Sequence, residues 1–200
     1  MDNKIEKNLL KKIKCKYLLI KIFDEITENK KLGIIKYNKD IQTILNIGLN
    51  DYQKFTEIEI ELNTINKNYK NTFINISKDE QNFYHIYFND NKKEVNKTYF
   101  TSNKNVTKIK IIIDFGMKTF YRLFYGCDCI EKINFIKFNR KNIVDMSYMF
   151  GGCSSLKEIN LTNFKTDNVK KMWGMFSGCS DKLKKKIKEN YKNISYEAFF

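Results

Sequence analysis

Three Gly-Cys pairs, Gly126-Cys127, Gly152-Cys153 and Gly178-Cys179, recur at a step of 26 residues. Other positions keep the step. Phe124, Phe150 and Phe176 align, as do Leu123, Met149 and Met175, and Phe120, Met146 and Met172. Ile130, Ile133 and Phe135 answer to Leu156, Ile159 and Leu161, and a shorter copy at Val106, Ile109 and Ile111 stands 24 residues earlier. A fixed period of this length is the signature of stacked units that bury their apolar edges only against neighbours.

Within a unit, "LKEINL" alternates at its end, which predicts a short strand. "NVKKMWGMFSGC" spaces Val169, Met172, Met175 and Phe176 at three and four, which predicts a helical turn stopped by Gly. Each recurring Cys is expected in the same core slot, as a small hydrophobe and a free, unreactive thiol. Cys127 and Cys129 are the only close pair, the chain has a single histidine, His85, and neither meets the spacing of a zinc site. No metal and no cofactor are therefore expected.

"NIVDMSYMFGGCSSLKEINLTNFKTDNVKKMWGMFSGCS" resembles the BspA-type (DUF285-like) leucine-rich repeats. The match is close over residues 142–180 and looser over 106–140. The resemblance implies a leucine-rich repeat solenoid with parallel strands, class α/β, used for protein–protein contact. It also keeps open a cell-surface adhesin, because many members act at the cell surface.

Four segments are expected. Residues 1–50 read as helical, with Leu10, Ile13, Tyr17 and Ile20, then Leu32, Ile35, Ile41, Ile44 and Leu45, at helical spacing and a stop near Gly48. Residues 51–105 alternate, as in "TEIEIEL", and form a β-rich lead-in to the solenoid. Residues 106–181 hold the repeats. Residues 182–200 carry Leu183, Ile187, Tyr191 and Ile194 on one helical stripe and should cap them.

"KYLLIKIFDEITENKKLGIIKYNKDIQTIL" is similar in rhythm to an F-box, although the usual Leu-Pro opening and late Trp are absent. That likeness implies a ubiquitin-ligase substrate receptor. Its adaptor-binding helix would use Leu18, Leu19, Ile22, Phe23 and Ile26. The plainer alternative is a helical cap.

The formal net charge is +14, spread as +5, −1, +5 and +5 over successive quarters, with no basic arm. A nucleic-acid partner is therefore not expected, and the repeat resemblance implies a protein partner. No apolar run is long enough to span a membrane. The first residues lack a continuous apolar core, and five cysteines are an odd number for a disulfide framework. The expectation is a cytoplasmic protein, with the cell surface as the alternative. No nucleophile–base constellation or phosphate-binding motif is present, so no enzyme is expected. The expected contact face is the strand surface, with Lys110, Ile112, Asn134, Ile136, Asn160 and Thr162. Trp173, which replaces Ser147 of the preceding unit, is expected either as a further surface contact or as a cover for the cap helix.

Overall fold

The structure is a computed structural model and describes residues 16–25, 34–35, 38–46, 56–114, 116–138, 142–164, 166 and 168–200. The chain divides into two compact units, residues 1–56 and 57–200.

In the first unit, α1 (Lys16–Glu25) and α2 (Lys39–Leu45) share a small core of Leu19, Phe23, Ile35 and Ile41. The buried stripe of α1 is Leu19 and Phe23, one turn apart. Tyr17 and Ile20, expected on that stripe, are exposed. Asn38 caps α2 by accepting from the Ile41 N–H at 3.2 Å, and Asn46 closes it in a left-handed conformation at φ 54°. Leu10, Ile13, Leu32 and Gly48 lie outside the described residues.

The second unit is built on a five-stranded sheet. Its strands are β1 (Ile58–Thr64), β3 (Tyr84–Phe88), β5 (Lys108–Ile113), β6 (Ile130–Phe138) and β7 (Glu158–Asn160), in the order β3-β5-β1-β6-β7. Two further strands, β2 (Lys70–Thr72) and β4 (Tyr99–Thr101), pair separately. A helix, α3 (Asp181–Asn190), follows the last turns.

The expected leucine-rich repeat solenoid of parallel strands is not what the chain builds. The sheet is mixed: β3–β5, β5–β1 and β1–β6 are antiparallel, and only β6–β7 is parallel. The reason lies in β1. The 24-residue step between the Val106 and Ile130 copies suggested that β5 and β6 would be neighbours. Instead β1 lies between them and takes the hydrogen-bonding edge of each. Its Ile58, Ile60 and Leu62 point into the core. Its Glu59 and Glu61 point outward and pair with Lys110 at 2.6 Å and Lys108 at 3.0 Å. β6 does not alternate strictly. Register shifts opposite Glu59/Ile60 and Asn63/Thr64 let two residues stand opposite one, so Ile130, Ile133, Phe135 and Phe138 all face inward.

The expected helical turns after the strands are absent too. Residues 146–153 and 172–179 form consecutive tight turns, such as Met149 N–H to Met146 O at 3.1 Å and Met175 N–H to Met172 O at 3.1 Å. Alternate amides point out of their own turn to the carbonyl 25 residues on. Phe120, Arg122, Phe124 and Gly126 donate to Asp145, Ser147, Met149 and Gly151. Tyr148, Phe150 and Gly152 donate in turn to Trp173, Met175 and Ser177. Donors committed to the neighbour cannot serve an α-helix. The spacing of three and four therefore arises from the turns.

The recurring glycines explain themselves here. Gly126, Gly152 and Gly178 adopt φ of 67°, 71° and 72° and lie above one another. A Cβ on Gly178 would stand 3.2 Å from the Gly152 backbone. Beside them Phe124, Phe150, Phe176 and Phe199 stack, with centroids 5.7, 5.4 and 5.6 Å apart.

Both ends of this ladder are closed. Asn75 donates its N–H to Leu123 O at 2.7 Å and its side-chain amide to Tyr125 O at 2.8 Å. At the other end Gly174 and Phe176 donate to Glu197 O and Ala198 O at 2.9 and 2.7 Å. The short 3-10 turn Tyr196–Phe199 thus stands where another unit would pair. Leu183 and Ile187 of α3 are buried, and the Tyr191 hydroxyl accepts from the Leu161 N–H at 3.1 Å.

Candidate functional site

The cysteines are internal. Cys127, Cys129, Cys153 and Cys179 are free and buried. Cys153 Sγ donates to Phe124 O at 3.0 Å and Cys179 Sγ to Phe150 O at 3.2 Å. The slot therefore asks for a small side chain with a donor, which simple apolar size did not reveal. Burial raises all four thiols above their ordinary value, Cys179 to about 11 and Cys129 to about 12. Native protein treated with an aromatic disulfide reagent at mildly alkaline pH should show these four sites modified only as fast as the chain opens, while denaturant should release them at once. Site-resolved mass spectrometry reads this directly. Rapid native modification at Cys153 or Cys179 would contradict the packing.

The open face of the sheet carries Lys110 and Ile112 on β5, Asn134 on β6 and Asn160 on β7, with β1 between β5 and β6 and Asn134 opposite both Glu61 and Asn160. Ile136 sits in the β6 bulge and is exposed. Thr162 lies beyond β7 and donates its N–H to Asn160 Oδ1 at 3.0 Å. Much of this face is tied internally: besides the β1 pairs, Lys132 meets Glu158 at 2.9 Å. At its edge His85 lies 3.1 Å from Glu94 and 3.3 Å from Asp114. Partial burial lowers its proton affinity, but the two carboxylates outweigh that and the pKa is raised.

On α1, Leu19 and Phe23 are buried, Ile22 is half-buried and Leu18 is exposed. Four of the five residues expected to form one adaptor surface are thus shared between the core and solvent, and the fifth, Ile26, lies outside the described residues.

A different surface stands out along the tight turns. Tyr121, Tyr125 and Trp173 are 50%, 44% and 51% exposed, and Tyr148 lies among them. Tyr148 meets Tyr121 at 6.4 Å, Tyr125 at 6.1 Å and Trp173 at 4.9 Å, each pair edge to face. The Arg122 guanidinium stands over the Tyr121, Tyr125 and Tyr148 rings at 5.2, 5.0 and 5.3 Å.

Glycines of the neighbouring turn make room for these rings. A Cβ on Gly151 would be 3.0 Å from the Tyr125 ring, and one on Gly174 would be 2.7 Å from the Tyr148 ring. Sequence reasoning found Trp173 alone. The missed signal was the pairing of a large aromatic with a glycine one unit later: Tyr125 with Gly151, and Tyr148 with Gly174.

The backbone adds a second mark. Arg122, Tyr148 and Gly174 occupy equivalent places at the 26-residue step, and all three have positive φ, 56°, 55° and 61°. Glycine adopts this conformation freely, whereas other residues pay about 1–2 kcal/mol. Arg122 and Tyr148 thus keep their side chains on the strip against local preference.

Among the described residues, no helix is long and apolar enough to cross a membrane, and no group of His, Cys, Asp and Glu is placed to hold a metal ion. No curated protein and no solved structure matches the chain. Residues 118–197, which carry the tight turns, the strip from Tyr121 to Trp173 and α3, match a family described as Mycoplasma protein of unknown function, DUF285, and this segment is DUF285-like.

Proposed function

We propose that this chain is a protein-binding module whose contact surface is the strip of Tyr121, Arg122, Tyr125, Tyr148 and Trp173. The observation that carries the reading is the half-exposed cluster itself, held at positions where two non-glycine residues adopt left-handed backbone. Trp, Tyr and Arg are the residues that dominate binding energy in protein interfaces. The wording that residues 142–180 share with BspA-type repeats, a family used for protein contact, supports the same class. The open sheet face, where the contact was first expected, has much of its charge satisfied internally and is the weaker candidate.

The test is affinity capture from extracts of the source organism with the full chain and two kinds of variant. Trp173→Ala and Arg122→Gln should each lose a protein that the unchanged chain retains, while Lys110→Gln and Asn160→Ala on the sheet should keep it. Circular dichroism confirms folding of each variant. Retention of every captured protein by both strip variants would refute the assignment.

A further inference from the structure

The reading above leaves the chemistry of the partner open, and the strip narrows it. We infer that the segment bound here is an acidic peptide, with an Asp or Glu carboxylate on the Arg122 guanidinium and an apolar side chain beside Trp173.

The first argument is charge. The sequence contains two arginines against a great excess of lysines, and one of them, Arg122, is exposed at the middle of this cluster. None of the ion pairs among the described residues uses it. Three tyrosine rings hold the guanidinium but neutralise none of its charge. A fixed guanidinium without a carboxylate is a ready partner for one, because its planar fork matches two carboxylate oxygens.

The strip also runs on to a second cation. Gly174 lies against Tyr148 and the Phe200 carbonyl, Phe200 meets Tyr196 at 4.7 Å, and Lys188 stands 5.6 Å from the Tyr196 ring. Two carboxylates, Asp145 and Glu197, are engaged by the backbone. Asp145 accepts from the Ser147 N–H at 2.9 Å and Glu197 from the Met172 N–H at 3.2 Å. An aromatic path between two cations fits an extended segment that is acidic at both ends and apolar between them.

The second argument is ring geometry, which favours a peptide over single-stranded nucleic acid. Bases need free, near-parallel ring faces to stack on. Here the interplanar angles are 81°, 87° and 82°, and the guanidinium stands over three of the tyrosine faces.

The experiment is selection of a displayed random dodecapeptide library against the full chain. The strongest tryptophan-free peptide is then titrated and followed by Trp173 emission, since the chain has one tryptophan. Enriched sequences should carry Asp or Glu flanking an apolar residue. Arg122→Gln should weaken the chosen peptide about tenfold or more, Arg122→Lys less, and added salt should weaken it further. Enrichment of peptides without acidic residues, lost in Trp173→Ala but unchanged in Arg122→Gln, would overturn the acidic partner while sparing the protein-binding reading. Enrichment indifferent to both substitutions, or no enrichment, would overturn the acidic partner, and the capture experiment then decides the broader reading separately. Tighter Arg122-dependent binding of oligothymidine, or of vesicles containing phosphatidylserine, would also overturn it.

Discussion

Phe150→Ala is expected to destabilise the second unit by about 3–5 kcal/mol. Phe150 is fully buried between Phe124 at 5.7 Å and Phe176 at 5.4 Å, and the edge of Phe135 meets it at 6.3 Å. Its backbone is fixed as well, because its N–H donates to Met175 O at 2.9 Å and its carbonyl accepts from Cys179 Sγ. The neighbours therefore cannot close over the gap, and the full cavity term is felt. In a domain of this size the midpoint of thermal unfolding should fall by roughly 10 °C. Lys157→Ala is the control. Its exposed ion pair with Glu131 is worth at most about 1 kcal/mol. Calorimetry that finds the two variants equally stable would show that the phenylalanine stack does not hold the unit together.

Deleting Tyr196–Phe200 is expected to be at least as damaging. Phe199 covers Phe176, and Ala198 is fully buried. Removal would uncover the last ring of the stack and strip the Met172, Gly174 and Phe176 amides of their acceptors. Burying one large apolar side chain is worth roughly 1.5–3 kcal/mol, and a row of unpaired edge donors is a template for association. The truncated chain should unfold at lower denaturant and elute partly as larger species in size-exclusion chromatography. Phe199→Ala should lower stability but elute where the unchanged chain does, since it leaves the Glu197 and Ala198 carbonyls in place. A truncated chain with unchanged midpoint and elution would show that the ladder closes without this segment.

What the sequence disclosed follows from which forces are local. The 26-residue step was legible because Gly152, Gly178 and the stacked phenylalanines each need one residue type in one slot, and identity repeats with geometry. The sheet was not legible. β1 has no counterpart in the repeat, so nothing in the periodicity announced that it would separate β5 from β6. Its outward Glu59 and Glu61 and the outward Lys108 and Lys110 of β5 were visible as residues, but their pairing is long-range. The turns misled for another reason: burial at intervals of three and four is common to helices and to successive tight turns, and only the direction of the amides separates them. The strip was read only at Trp173, because Ser147 interrupts the column that Trp173 shares with Tyr121, while Tyr125 and Tyr148 fall in other columns and meet the strip by reaching across turns.

The central claim is that contact is made on the turn strip rather than on the sheet. Trp173 reports on it directly, being the sole tryptophan and half-exposed. The decisive measurement is acrylamide quenching of Trp173 emission, with and without a saturating amount of the captured partner made free of tryptophan. The account predicts a blue shift and a marked fall in quenching on binding, with both changes clearly smaller in Arg122→Gln at the same concentration. Unaltered emission and quenching at saturation, with binding weakened by Lys110→Gln or Asn160→Ala, would contradict it and return the contact to the sheet.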